Sequence, residues 1–455
     1  LSDADGAVHT VVPGRPIGLH PHTVADLAAH DVHLHFYGDY THGQWREWIA
    51  RARPKAQLTP WLTQPDATVK AAGGDVAKAN LSTGLVDQLG DRVAFGRRVA
   101  ALAGGDDDKP AGWYRSIRYA NYVAANPLPK DGQIGIVTVA GDIVDGKAGP
   151  GTAGGDTIAD QVLKALATND DLKAIVLRVD SPGGSAMASE RIRLALLEAK
   201  KKKLPVVVSM GGLAASGGYW VSTAGDTIFA EPTTITGSIG IFGIIPTFEK
   251  TLAKVGVTTD GVRTTPLSGQ PDVMAGTNPT IDALIQSGIE HGYAQFVARV
   301  SQERKLSPAR VNEIGQGRVW TGGAARQIGL VDRFGTLDDA VAEAAKRAGI
   351  DPKDAKVVYL EKKPGFAAQL AQQIGERSGG EDDEASEAAL APADIFARVG
   401  WQRQQAMASA LGDARRMLTG ASIRAQCLEC AGLGPVQART EDLTLFRKLL
   451  ATLGL

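Results

Sequence analysis

Apolar runs of strand length alternate with amphipathic stretches through the middle of the chain. "QIGIVTV", "AIVLRV", "PVVVS" and "DTIFA" are rich in β-branched residues and carry no polar alternation. Such runs fit strands buried on both faces. Between them, "TIADQVLKALA" and "SERIRLALLEAKKK" repeat apolar residues at helical spacing. Strand and helix in alternation predict a parallel sheet with crossover helices, an α/β core. Low-complexity joints at 104–110 ("GGDDDKP") and 377–394 ("RSGGEDDEASEAALAPAD") have the composition of turns and linkers. Beyond the second joint, "DIFARVGWQRQQAMASALGDARRML" reads as a helical tail suited to packing on a partner chain.

The pattern also repeats. "TGLVDQLG" at 83–90 matches "IGLVDRFG" at 328–335, an offset of 245 residues, and each follows an alanine-containing helical stretch. Tandem duplication with a shortened first copy is the simplest account. The expected organisation is then an atypical His-rich stretch at 1–44 and a remnant of the first copy at 45–103. A linker and connecting helix follow at 104–130, the second copy at 131–350, and a linker with a helical tail at 351–455.

The 455 residues carry 49 basic and 50 acidic side chains, a balance that argues against nucleic acid as a partner. No 18-residue apolar run predicts a transmembrane helix, and no signal peptide is visible. Seven of the eight histidines fall in the first 44 residues. Without carboxylate or cysteine support they suggest a divergent stretch ahead of a metal site, so no metal is expected. The two cysteines, Cys427 and Cys430, form one CxxC, too few ligands for zinc. They read as small residues on a packed helix, with a redox or disulfide role as the alternative. "GPGTAG" at 149–154 fits a dinucleotide fingerprint in outline. The first glycine lies too far from its strand and no acidic residue follows at the right spacing, so no cofactor is expected.

The chemistry concentrates in two stretches. "RVDSPGGS" (178–185) leaves a strand and enters a helix through Gly183 and Gly184, which let the backbone turn and approach a ligand closely. Amides at such a start suit a developing oxyanion. Some 25 residues on, "AASGGYW" places Ser216 among small residues after a strand. The serine is either a nucleophile or a helix cap.

"LRVDSPGGS", "VVSMGGLAASGGYW", "TTITGSIGIFG" and "GRVWTGGAA" together resemble the long form of the signal peptide peptidase A (protease IV) family, peptidase family S49. The resemblance runs from about residue 45 to the CxxC. It implies a ClpP/crotonase-like fold in two related domains and a homotetramer at the membrane surface. The implied location is the periplasmic side of a bacterial inner membrane. It implies a serine endopeptidase acting on cleaved signal peptides and similar apolar peptides. Ser216 would be the nucleophile, Gly183 and Gly184 would shape the oxyanion hole, and Ser238 would orient a catalytic lysine. A serine needs a base, and the single histidine after residue 42, His291, is remote in sequence. In the short form of the family the lysine lies about 50 residues after the serine, where this chain has Gln270 and Pro271. In the long form it comes from the first copy, which the 245-residue offset places near residues 15–25, "RPIGLHPHTVA", a stretch without lysine. Three readings stay open. The N-terminal stretch is not native sequence, or the base is lost and the chain is a non-catalytic peptide-binding or assembly protein, or Lys250 or Lys254 serves.

Overall fold

A computed structural model describes residues 43 and 45–361, apart from 107, 118, 128, 130, 150, 244–246, 255, 262 and 273. It also describes 407–408, 423–427, 442–444 and 448. The chain divides into two compact units on either side of residues 129/130.

The unit ending at 129 is helical wherever it has regular structure among the described residues: residues 45–52, α1 (Leu58–Thr63), α2 (Pro65–Ala71), α3 (Val76–Ser82), α4 (Arg92–Ala103) and α5 (Tyr119–Ala125). Asp75 and Asp91 cap α3 and α4 through their carboxylates, satisfying amides that a helix start leaves free.

The second unit holds the strands β1 (Ile134–Ala140), β2 (Asp142–Val144), β3 (Thr152–Gly154), β4 (Ala174–Ser181), β5 (Gly183–Ser185), β6 (Val206–Ala215), β7 (Thr227–Ala230), β8 (Ile235–Gly237), β9 (Phe242–Gly243), β10 (Val319–Thr321), β11 (Arg333–Phe334), β12 (Val357–Tyr359) and β13 (Ile423–Gln426). Its helices are α6 (Gly155–Thr168), α7 (Ala186–Lys201), α8 (Gly217–Ser222), α9 (Glu249–Lys254), α10 (Pro279–Arg304), α11 (Pro308–Ile314), α12 (Gly322–Gln327) and α13 (Leu337–Arg347).

The main sheet runs β10-β8-β6-β4-β1-β12, with β7 on β6 and β11 on β7, and every pairing but β10 with β8 is parallel. Alternate residues face opposite ways. Ile175, Leu177 and Val179 of β4 join the core that includes α6, α7 and α10, while Ala174 and Val176 join a second core against α13. Both faces are covered, which is why these strands read as continuous apolar runs. The expected α/β architecture is therefore present.

Strand β6 serves two neighbours. Val207–Ser209 pair with β7 and Leu213–Ala215 pair with β8, so the strand forks the sheet around Gly211 and Gly212. A smaller sheet, β3-β2-β5-β13-β9, lies beside the fork.

The internal repeat is structural as well as textual. Thr83, Gly84 and Leu85 donate backbone hydrogen bonds to Ala79, Leu81 and Asn80. Ile328, Gly329 and Leu330 donate to Ala324, Arg326 and Ala325, the same bonds 245 residues later. Arg53 reaches the Gly84 carbonyl and Asp87, as Arg304 reaches the Gly329 carbonyl and Asp332. The α4 cap at Asp91 corresponds to the α13 cap at Thr336.

One expectation about the tail fails. Cys427 does not lie on a packed helix: it directly follows the strand β13, and it is disulfide-bonded. Pairing partners more than 180 residues away decide that conformation, and local periodicity cannot report them. Of the stretch expected as a tail helix, only residues 407–408 are described, in helical conformation; the rest lies outside the described residues, as do residues 1–42 and Cys430.

Candidate active site

Ser216 occupies the turn between β6 and α8 with φ 52° and ψ −112°, a region that favours glycine and costs a serine about 1–3 kcal/mol. Its amide donates to the Gly237 carbonyl at 2.8 Å and its carbonyl accepts from the Trp220 amide at 2.7 Å. Those two bonds hold the strained residue. The side chain is fully buried, and its Oγ has no hydrogen-bond partner among the described residues. A structural cap would have spent this hydroxyl on the helix, and α8 receives no side-chain cap bond. An unpartnered buried hydroxyl costs about 1–3 kcal/mol, so among the described residues this side chain serves neither as cap nor as packing bond.

The following glycines are required by space. A Cβ on Gly217 would lie 2.6 Å from Ser189 Oγ, and one on Gly218 would lie 2.8 Å from the Ser181 carbonyl oxygen. Helix α8 is then locked from outside. Trp220 Nε1 donates to Glu190 at 2.7 Å, and the Arg299 guanidinium lies 4.8 Å over the same ring while donating twice to Glu190 at 3.0 Å. Tyr219 is buried and donates to the Leu330 carbonyl at 2.8 Å. Burial pushes its phenol far above the ordinary value, so it stays a neutral donor.

Gly183 and Gly184 have φ 96° and 150°. A Cβ on Gly183 would lie 2.6 Å from the Gly217 amide nitrogen, so the two glycine backbones meet face to face beside Ser216. The Gly183 amide itself donates to Ser181 Oγ at 3.1 Å, and that hydroxyl donates on to the Gly141 carbonyl at 2.6 Å. Ser185 caps α7 through the Ala188 amide and donates to Asp145 Oδ1 at 2.5 Å. Ser189 donates to the Ser185 carbonyl at 2.8 Å. Three hydroxyls thus brace the Gly-Gly turn.

Ser238 lies one residue beyond β8, with φ 49° and its amide bonded to the Arg318 carbonyl at 2.7 Å. Because Ala215 is in register with Gly237, Ser216 and Ser238 leave neighbouring strands at adjacent positions. The fold therefore brings Ser216, Gly183 and Ser238 together, with Gly184 directing the turn.

No base stands with them among the described residues. Lys250 and Lys254 are exposed on α9, which buries none of its residues, and His291 is exposed on α10. The stretch 15–25 lies outside the described residues. At the "GPGTAG" turn the chain fills the space itself: a Cβ on Gly154 would lie 2.5 Å from the Ala148 amide nitrogen.

Sequence reasoning missed Ser181, Ser185 and Ser189 as supports, Gly217 as the partner surface of Gly183, and β13 altogether. The four-residue spacing of Ser185 and Ser189, at the cap and first turn of α7, was a visible signal.

Residues 198–351 match Peptidase family S49. Protease 4 of Salmonella typhi is 42% identical over 309 residues, 67% of this chain and 49% of that protein. Protease 4 of Haemophilus influenzae is 41% identical over 297 residues, 64% of this chain and 47% of that protein. Putative protease slr0021 of Synechocystis is 37% identical over 202 residues, 44% of this chain and 73% of that protein. Among solved structures, a mutant of the 1510-N membrane-bound stomatin-specific protease aligns over its full length with 52% of this chain, at 15% identity and TM-score 0.33. A strained serine at a strand-helix turn thus faces a Gly-Gly loop on an α/β sheet. The chain belongs to peptidase family S49. It spans about half the length of the two Protease 4 relatives.

Proposed function

We propose that the chain is a serine endopeptidase that cuts extended, apolar peptides such as cleaved signal peptides. Ser216 Oγ attacks the scissile carbonyl carbon while a base takes its proton. The oxyanion forms between the amides of Gly183 and Gly217, where it displaces the Ser181 hydroxyl from Gly183. The intermediate collapses to an acyl-serine ester and the amine leaves with the proton. Water then hydrolyses the ester by the same path. Ser238 orients the base, a neutral lysine whose pKa burial must lower. The resemblance to the long form supports a homotetramer on a membrane surface, at the periplasmic side of a bacterial inner membrane. Among the described residues no helix is long and apolar enough to cross a membrane.

The observation that carries this reading is the buried, unpartnered Ser216 Oγ on a strained turn. The second reading, a non-catalytic peptide-binding or assembly protein, is favoured by the lack of a base beside that hydroxyl among the described residues. A fluorophosphonate probe separates the two. Labelling of the wild-type chain that disappears in Ser216→Ala, with peptide hydrolysis down at least ~1,000-fold, is the catalytic outcome. A folded wild-type chain that neither labels nor cleaves is the non-catalytic one.

A further inference from the structure

The chain's own tail lies against the Gly-Gly turn beside Ser216. Strand β13 lies between β5 and β9 and pairs antiparallel with both. Ala425 is in register with Gly184 and Gln426 with Gly183, while Arg424 faces Phe242 on the other side. The Cys427 amide adds a bond of 2.8 Å to the Pro182 carbonyl. A short extended segment clasped between two strand edges has the geometry by which peptides are recognised through their main chain.

The register sets what lies at the reacting position. The Ala425 carbonyl oxygen presses on Gly183, where a Cβ would collide with it, and lies 3.0 Å from where a Cβ on Gly217 would stand. Gly183 and Gly217 are the two glycines that flank the serine turn. Ala425 is fully buried, and Cys427 packs with Ala215 and Val319 beside it. The space around the residue that presents its carbonyl accepts a methyl group and little more. The disulfide at Cys427 constrains the chain immediately after that residue.

We propose that residues 423–427 are a built-in competitor for the peptide groove, with the Ala425 carbonyl standing in for that of a scissile bond. The groove's substrates are then extended peptides with a small side chain at the acyl position, and the tail slows the resting chain without abolishing its reaction. The inference rests on the peptidase reading only for the second of its two readouts. A tethered segment competes at an effective concentration in the millimolar range.

The test uses a fluorescein-labelled hexapeptide with the sequence of residues 421–426, titrated by anisotropy into the full chain and into its Ala425→Arg variant. Arginine cannot occupy the methyl-sized site, so the tail is expelled and the labelled peptide binds at least tenfold more tightly than to wild type. A second variant, Gln426→Pro, breaks the strand without adding bulk to the core and gives the same gain. Equal affinity for wild type and a folded variant, or no binding to either folded variant, overturns the proposal. Fluorophosphonate labelling of Ser216 is measured alongside and accelerates in both variants. Peptide affinities that separate while nothing labels leave the groove standing and remove the catalytic reading. Labelling with unchanged peptide affinities does the reverse.

Discussion

Residues 53–103 and 304–348 share a run of backbone hydrogen bonds, an arginine clamp and a helix cap, yet they sit in different surroundings. In the second copy, Ala340, Ala344 and Ala345 of α13 are fully buried against the strands. At the offset of 245 their counterparts are Phe95, Val99 and Ala100 on α4, and Phe95 is 61% exposed. The Arg304–Asp332 pair has side-chain exposures of 9% and 34%, against 34% and 83% for Arg53–Asp87. The local fold is thus encoded within some fifty residues. Its stability is a different quantity, and it comes from burial.

Removing each arginine should give the largest contrast. Arg304→Ala strands Asp332, half-buried and still accepting from the Ile228 amide, and should cost about 3 kcal/mol in denaturant unfolding. Arg53→Ala should leave the midpoint unchanged, since its pair is solvated. Equal losses would dissolve the distinction between the copies.

Overpacking comes next. Ala345→Leu forces a larger side chain between α13 and the sheet and should destabilise by about 2 kcal/mol. Ala100→Leu, at the corresponding position on α4, should be neutral within the error of a thermal melt.

The smallest effect is acid sensitivity. Burial pushes the Asp332 carboxyl up, but the hydrogen bond and charge of Arg304, with the Ile228 amide, outweigh it and hold the carboxyl below its ordinary value. A depressed carboxyl stabilises the fold above its unfolded value and loses that contribution as pH falls through the folded one. Wild type should therefore lose stability below about pH 4, and Asp332→Asn should flatten that limb. The hydrogen bond from Arg53 also holds Asp87 below its ordinary value, but that pair is solvated, so Asp87→Asn should flatten the acid limb less than Asp332→Asn.

Much of this was legible in sequence. The buried strands announced themselves by unbroken β-branched runs, and the repeat gave the 245-residue offset that the backbone hydrogen bonds follow. Ser216 and the Gly-Gly turn were visible because close backbone approach leaves only small residues at those positions. The placement of β13 was not legible: four residues in a polar tail carry no strand signal, and their partners at 183–185 and 242–243 are distant in sequence. The ring stacking and ion pairing of Arg299 with Trp220 and Glu190 was hidden for the same reason. Each residue alone reads as an ordinary surface side chain.

The fork in β6 sets how this site opens. Val206–Met210 pair residue for residue with β4 at the centre of the sheet, while Leu213–Ala215, which present Ser216, pair with the three-residue strand β8 and meet β4 only through Ala214 and Ser181 beyond a register shift. Gly211 and Gly212 lie between the two halves. Amide protons on the first half should exchange with solvent only when the whole unit unfolds, and those on the second through a cheaper, partial opening. The serine is thus carried on the more labile half of its own strand.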